Sequence, residues 1–250
     1  MHIDPILRAN YHSKEYSGVG FSLEERKTSQ MSSEALKVWS RLQGSCNASK
    51  IGLLTFASVS ILYGMFQKKM LPQNVSTVVS KLMFFPTLPF TYLQRVGNLF
   101  TEVDSTVILG TAPLQLLGHP KELYSRGVRG VVNMCSEYAG PQAAYRELGI
   151  KQLRLPTTDH FEPSLQSLTE AVRFIEDCKA RGDKVYIHCK AGHGRAAAVT
   201  LAWLLHSNKD RSAQELNLAL WSKRKVRKTL WQQPNIQAFE QQRDSRDQMR

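Results

Sequence analysis

A short loop between a predicted strand and a predicted helix constrains the fold of this chain more than any other feature. Residues 184–188 (KVYIH) are rich in β-branched and aromatic side chains, which predicts a short buried strand. Residues 196–207 (AAAVTLAWLLHS) predict a buried helix. Gly192 and Gly194 lie between them and let backbone N–H groups turn toward an anion, while the helix N-terminus adds its dipole. The junction therefore predicts a site for a phosphate-sized anion.

The same loop carries a nucleophile and a cation that suits phosphate. Cys189 opens the loop, where the positive potential of the helix N-terminus favours the thiolate. Arg195 closes it with a planar fork that can bind two phosphoryl oxygens. This pair is suited to attack of sulfur on phosphorus. The alternative, a buried structural cysteine, accounts for neither the glycines nor the arginine.

The order His188-Cys189, five residues, then Arg195 resembles the signature of the cysteine-dependent phosphatases, which include the protein tyrosine and dual-specificity families. The resemblance implies that Cys189 is the nucleophile, that Arg195 binds phosphate and stabilises the transition state, and that no metal or other cofactor takes part. It also implies a set of substrate-binding residues, namely Lys190, Ala191, Gly192, His193, Gly194 and Arg227. A rhodanese-like sulfurtransferase is the alternative, which His188 and Arg195 disfavour.

A general acid is needed, because a thiolate alone expels an alkoxide poorly. The segment 155–163 (LPTTDHFEP) lies about thirty residues before the cysteine, after a strand-like stretch. The phosphatase family has a mobile loop here whose Asp protonates the leaving oxygen and then activates water. Asp159 matches that position, and Glu162 is the second candidate. The alternative role for Asp159 is that of a loop or cap residue.

One position departs from the family pattern. Phosphatases of this family usually have Ser or Thr directly after the arginine, where the hydroxyl stabilises the departing sulfur, whereas this chain has Ala196. We expect attack on the substrate to survive the change and hydrolysis of the phosphocysteine to slow. The departure also leaves open a non-enzymatic alternative, a phospho-ligand-binding module.

Charge and cysteine content restrict the partners and the compartment. The net charge of +12 suits an anionic partner, such as a phospholipid surface or a phosphorylated substrate, and no nucleic-acid motif accompanies it. The basic run 223–228 (KRKVRK) includes Arg227, and its default interpretation is a solvated helix end. The cysteines show no metal or disulfide-framework spacing, which favours a reducing compartment: Cys46, Cys135, Cys178 and Cys189.

The chain divides near residue 82 into an N-terminal extension, 1–82, and a catalytic domain, 83–250. Residues 51–66 carry no charge and lie between lysines, so a helix over about 51–69 is a candidate membrane anchor, with a buried or interfacial helix as the alternative. Residues 83–93 (MFFPTLPFTYL) form a second apolar patch. Its two prolines disfavour a continuous spanning helix, and it fits a membrane interface or a segment packed on the catalytic domain.

Further motifs are similar to one branch of the dual-specificity family. They follow the order found in that branch: Phe84 to Leu88, Ser105 to Gly110, Arg129 to Met134 with Glu137-Tyr138, and Gln152 to Leu155. The branch comprises mitochondrial phosphatidylglycerophosphate phosphatases of the cardiolipin pathway. The likeness implies a monomeric, membrane-associated lipid phosphatase at the mitochondrial inner membrane, or else at another intracellular membrane or in the cytoplasm. A dual-specificity protein phosphatase and a phosphoinositide phosphatase stay open as alternatives.

The pattern of strands and helices predicts an α/β fold with a central, largely parallel sheet flanked by helices. Strands are expected near 107–109, 128–134, 153–155 and 184–188. A helix is expected over Leu165–Ala180, because its apolar residues recur at helical spacing. Ser212 and Glu215 form a predicted capping box that opens a further helix.

Overall fold

The computed structural model describes the backbone of residues 48–248 and the side chains of residues 55–245. Contacts between residues divide the chain into Met1–Ser60 and Ile61–Arg250. The predicted division near residue 82 falls inside a helix that runs from Gln73 to Gln94. Cys46 lies outside the described residues.

The described part of the chain contains eight α-helices and five strands. The helices are α1 Ala48–Gln67, α2 Gln73–Gln94, α3 His119–Ser125, α4 Gln142–Glu147, α5 Leu165–Ala180, α6 Arg195–Ser207, α7 Ala213–Lys223 and α8 Pro234–Gln248. The strands are β1 Phe100–Glu102, β2 Val107–Gly110, β3 Val128–Cys135, β4 Lys151–Thr157 and β5 Lys184–His188. The predicted helix over Leu165–Ala180 and the capping box at Ser212 are both confirmed.

The strands form a mixed sheet in the order β1-β2-β5-β3-β4. Strands β2, β5, β3 and β4 run parallel, as predicted, whereas β1 pairs antiparallel with β2. Strand β1 was not predicted from the sequence, because its three partly exposed residues give no buried apolar run. Strand β5 lies in the middle with its residues 185–188 buried, as expected for a central parallel strand.

Helices cover both faces of the sheet and bury two apolar clusters. One cluster includes residues of α5, α6 and α7, and helix α6 is buried along most of its length. The other lies against α3 and α4 and includes Leu123 and Tyr145. Strand β5 lies between β2 and β3. In open parallel sheets, ligands bind beyond the carboxyl ends of such strands.

The two apolar N-terminal segments both lie in helices, and the second packs on the catalytic domain, which was one of its two predicted alternatives. Within the residues that the structure describes, no helix is long and apolar enough to cross a membrane. A spanning helix over 51–69 is therefore not supported. The C-terminal end of α1 is packed against other residues of the chain, since Phe66 is only 3% exposed. Residues 83–93 belong to α2, which continues through Pro86 and Pro89 and buries Phe84 and Leu88 in the core. Tertiary packing stabilises this helix and outweighs the local cost of proline.

Candidate active site

The predicted loop lies where β5 ends and α6 begins. His188 closes the strand and Arg195 opens the helix, so the intervening residues lie at the helix N-terminus. Cys189 is 3% exposed and lines a cavity of about 410 Å³. Burial lowers the pKa of His188 to about 3, so the imidazole behind the cysteine is neutral at physiological pH. We refer to residues 189–195 as the phosphate loop.

A glycine is required at the turn of the phosphate loop. Gly192 has φ of +63°, a conformation that other residues rarely adopt. A Cβ at this position would lie 2.5 Å from the carbonyl oxygen of Gly110 and 2.7 Å from Arg224 Nη2. The predicted role of Gly192 in turning the backbone is consistent with this geometry.

Arg224 orients the phosphate loop from behind. Its buried guanidinium donates from Nη2 to the carbonyl of Ala191 at 3.0 Å and from Nε to that of Gly192 at 3.1 Å. The N–H and C=O of a trans peptide point in opposite directions, so the N–H groups of Gly192 and His193 point away from Arg224. This role was not predicted from the sequence, because nothing in the pattern distinguishes Arg224 from its basic neighbours.

Arg195 is buried and held by two carboxylates. Glu137 accepts from Nη1 at 2.8 Å and from Nη2 at 2.7 Å, and its side chain is 1% exposed. The carbonyl of Thr157 accepts from Nη1 at 2.8 Å, and Asp159 lies 2.9 Å from Nη2. The Nε atom is buried and has no hydrogen-bond partner among the described residues. One edge of the guanidinium is thus fixed by Glu137, and the Nε–H on its other edge has no partner among the described residues.

Glu137 entered the sequence-based prediction only as part of a family motif, and its pairing with Arg195 was not predicted. Residues 137 and 195 are far apart in the chain, and only the parallel arrangement of β3 and β5 brings their elements together. Cys135, at the end of β3, is buried and free, and burial raises the pKa of its thiol. The structure therefore places it in the core.

The predicted acid, Asp159, lines the cavity together with Cys189 and Arg195. Burial raises the pKa of Asp159, but the attraction of Arg195, with contributions from His160 and Lys190, outweighs burial and holds the pKa below its usual value. Glu162 lies instead in an adjoining recess beside Lys69 and Arg227. The geometry favours Asp159 over Glu162 as the group that reaches a substrate. We call residues 158–163 the acid loop.

The opposite side of the cavity is built by two helices. We call this side the helical wall; its cavity-lining residues are Tyr63, Phe66 and Gln67 of α1 and Ser80, Met83, Thr87, Phe90, Thr91 and Gln94 of α2. The ring of Phe66 meets the ring of His160 edge-on at 4.8 Å. The hydroxyls of Thr77 and Thr158 are hydrogen-bonded at 2.9 Å. The two helices that form the helical wall therefore contact the acid loop directly, which was not predicted from the sequence.

The remaining predicted binding residues surround the cavity. Five of them line it, namely Lys190, Ala191, His193, Gly194 and Arg227, whereas Gly192 is not among the lining residues. The ammonium of Lys190 donates to the carbonyl of Met83 at 3.3 Å and to the hydroxyl of Thr87, so it joins the phosphate loop to the helical wall. Burial lowers the pKa of Lys190, as it does that of His193.

Comparisons with known proteins agree with this geometry. A family model described as dual specificity phosphatase, catalytic domain, matches residues 108–242. The Rattus norvegicus protein named phosphatidylglycerophosphatase and protein-tyrosine phosphatase 1 is 33% identical over 139 residues, which cover 51% of this chain and 72% of the relative. The Homo sapiens protein of the same name is 32% identical over 143 residues, with coverage of 52% and 71%.

The fold is also similar to solved structures. The crystal structure of PTPMT1 superposes with a TM-score of 0.54 at 29% identity, covering 60% of this chain and 99% of that chain. The crystal structure of PTPMT1 in complex with PI(5)P gives the same values. The predicted α/β phosphatase fold is thereby confirmed; its sheet is mixed, because β1 pairs antiparallel with β2 while the other three pairings are parallel.

Proposed function

This chain belongs to the dual specificity phosphatase family and is a phosphoric monoester hydrolase, and we propose that it dephosphorylates phosphatidylglycerophosphate. One observation carries the proposal: Cys189, Arg195 and Asp159 meet at a single cavity whose other side, the helical wall, includes large apolar side chains. A glycerol-linked phosphate would occupy the phosphate loop, while the rest of the lipid would lie against that wall. Relatives named for this activity support the choice of substrate.

The first chemical step is attack of the Cys189 thiolate on phosphorus. An S–P bond forms, and the bond from phosphorus to the glycerol oxygen breaks. Arg195 binds the phosphoryl oxygens, its unpaired Nε–H among the donors, and Glu137 holds the guanidinium in that orientation. The N–H groups of the phosphate loop and the dipole of α6 add positive potential at the same place.

Asp159 supplies the proton that the leaving glycerol oxygen takes up. In the free enzyme its carboxylate pairs with Arg195, which keeps the pKa low. A phosphate dianion that binds Arg195 weakens this attraction and adds a like charge nearby, and both effects raise the pKa of the carboxyl group. Asp159 can then carry the proton it donates, and in the second step it accepts one from the water that cleaves the phosphocysteine.

The proposed lipid substrate also implies a location for the enzyme, at a membrane. We expect association with an anionic phospholipid membrane and, as the resemblance of the sequence motifs implies, with the mitochondrial inner membrane. The net charge of +12 is consistent with such a surface. Phosphoinositides form the second candidate class, because a related structure was solved in complex with PI(5)P.

A substrate panel tests the proposal. The full chain is assayed with phosphatidylglycerophosphate, phosphoinositides and phosphopeptides dispersed in the same detergent, and kcat/KM is compared. We expect phosphatidylglycerophosphate to give the highest value. Faster turnover of a phosphotyrosine or phosphoserine peptide than of any lipid would instead identify a protein phosphatase. The assay uses the full chain, because truncation at residue 83 would remove the first turns of α2.

A further inference from the structure

Helix α2 carries a row of large apolar side chains on the side opposite its buried residues. The row consists of Val75, Val78, Leu82, Phe85 and Leu93, and we call it the α2 stripe. The spacing of three, four, three and eight residues places them on one face of a helix. Their exposed fractions rise from 38% at Val75 to 67% at Leu82 and 70% at Leu93.

This exposure is not what an ordinary surface helix shows. A helix packed on a globular core normally carries polar residues on its outer face. The inner face of α2 is already used, since Ser76, Val79, Ser80, Phe84 and Leu88 are buried. Isolated exposed hydrophobic residues are common, but a row of them along one face marks an interaction site.

The charged residues in the segment that contains the α2 stripe are all basic. Between residues 61 and 101 the sequence has no Asp or Glu, whereas it has Lys68, Lys69, Lys81 and Arg95. Lys81 lies within the helix and is exposed. Arg95 follows the helix and donates to the carbonyl of Lys225, which brings the basic run 223–228 to the same end. Such a surface complements an anionic one.

The inner face of the same helix lines the catalytic cavity. Met83, Thr87 and Thr91 line it, and Phe90 both lines it and is 61% exposed at its edge. A surface that covered the α2 stripe would therefore lie about one helix diameter, ~10 Å, from the cavity. That distance suits a substrate whose phosphate projects from the surface on which the enzyme rests.

We infer that the α2 stripe is the face with which the enzyme docks on an anionic phospholipid bilayer. The apolar side chains enter the boundary between headgroups and acyl chains, and the lysines and arginines around them contact the headgroups. The inference rests on the proposed lipid substrate, because a bilayer is the surface that presents it. Docking and catalysis then share α2, whose two faces serve the two roles.

Flotation of the full chain with lipid vesicles tests the inference. Vesicles of phosphatidylcholine alone are compared with vesicles that also contain phosphatidylglycerol, at low and high salt. The variant V78S/L82S changes two exposed residues outside the cavity, and Leu93→Ser provides a second, independent change in the stripe. Leu218→Ser is the matched control, since Leu218 is 53% exposed on α7.

We expect wild type and Leu218→Ser to bind the anionic vesicles and to be released by salt. We expect V78S/L82S and Leu93→Ser to bind about ten-fold less, with unchanged turnover of a soluble aryl phosphate. Stripe variants that bind vesicles as wild type does would overturn the inference. So would a wild-type dimer in solution that the same changes convert to a monomer, because the face would then belong to a second copy.

The two proposals can fail separately. If wild type does not bind vesicles but hydrolyses phosphatidylglycerophosphate in detergent best of all substrates, the docking surface is wrong and the function stands. If the stripe variants lose vesicle binding while phosphopeptides prove the best substrates, the docking surface stands and the substrate assignment is wrong.

Discussion

The two sides of the cavity are built on different physical grounds. The phosphate loop is seven consecutive residues, and its shape follows from a strand end, a glycine at positive φ and a helix start. The helical wall gathers residues between 63 and 94 that reach the cavity only through tertiary contacts. The shape of the phosphate loop is determined by local sequence, whereas the position of the helical wall is determined by tertiary packing. The phosphate loop supplies the reacting groups, and the helical wall contacts the acid loop and helps to position it.

The largest effect is expected where the loop supplies the reacting atoms. Cys189→Ser should lower kcat on an aryl phosphate on the order of 10⁴-fold or more, since the serine hydroxyl is a poor nucleophile without a base. Arg195→Lys should lose roughly 10²–10³-fold, because an ammonium cannot reproduce the fork that Glu137 orients. Steady-state kinetics at saturating substrate measures both.

Cys178→Ser is the matched control, because Cys178 is equally a buried free cysteine but lies in α5, away from the cavity. Its activity should stay close to that of wild type. Either active-site variant retaining more than about a tenth of the wild-type rate would contradict the phosphocysteine mechanism.

Asp159 lies between the two sides, and its replacement should be the next most severe. Asp159→Asn should lower kcat by about 10²–10³-fold on a substrate with an alkoxide leaving group. A general acid works only when protonated, so the wild-type rate falls as pH rises through the pKa of Asp159 in the complex. This fall in rate with rising pH, the basic limb of the profile, should be absent from the pH profile of the variant.

In the free enzyme Arg195 holds the pKa of Asp159 low, so the pH profile of kcat/KM should place this limb at lower pH than that of kcat. Glu162→Gln is the control, since Glu162 lies in the adjoining recess. If Glu162→Gln removed the limb and Asp159→Asn did not, the acid would be Glu162.

The difference between the two sides also explains what could be predicted from the sequence. The phosphate loop and its strand and helix were identified because each piece has its own local signal. The roles of Arg224 and Glu137 were missed, because both residues reach the loop through contacts across the fold. Arg224 also lies among other basic residues of the run 223–228, so the sequence does not distinguish it. Helix α2 was not predicted to be continuous, because proline lowers helix propensity locally while its cost is offset by burial of Phe84 and Leu88.

The contacts of the helical wall with the acid loop should affect the rate through the position of Asp159. Thr77→Val removes the hydroxyl that bonds Thr158, and Phe66→Leu removes the ring that meets His160. We expect each to lower kcat/KM, which covers the steps up to departure of the leaving group, roughly three- to ten-fold on an alkyl phosphate, through looser positioning of Asp159. An aryl phosphate with a good leaving group needs less protonation and should be affected less.

The ratio of the two rates distinguishes this role from a general loss of stability. Thr169→Val is the control, because the Thr169 hydroxyl donates within α5, to the carbonyl of Leu165. Equal losses on the two substrates would show that the helical wall does not act through the acid.

The smallest effect is expected at the position where the phosphate loop departs from its family. Ala196 is fully buried in the first turn of α6, directly after Arg195. On an aryl phosphate, whose leaving group departs readily, breakdown of the phosphocysteine should be slower than its formation, because Ala196 offers no hydroxyl to stabilise the departing thiolate. Rapid mixing should then show a burst of released leaving group followed by a slower steady rate.

Ala196→Ser should raise the steady rate by roughly two- to five-fold and shrink the burst, with little change in the first phase. Ala197→Ser, one residue further along the same buried helix, introduces the same hydroxyl at a position that does not follow the arginine, so it should leave the burst unchanged. A wild-type enzyme without a burst, unaffected by Ala196→Ser, would mean that formation of the phosphocysteine limits the rate. The alanine at position 196 would then have no kinetic consequence. The difference between the two sides of the cavity would be tested by the variants of Cys189, Arg195 and the acid loop alone.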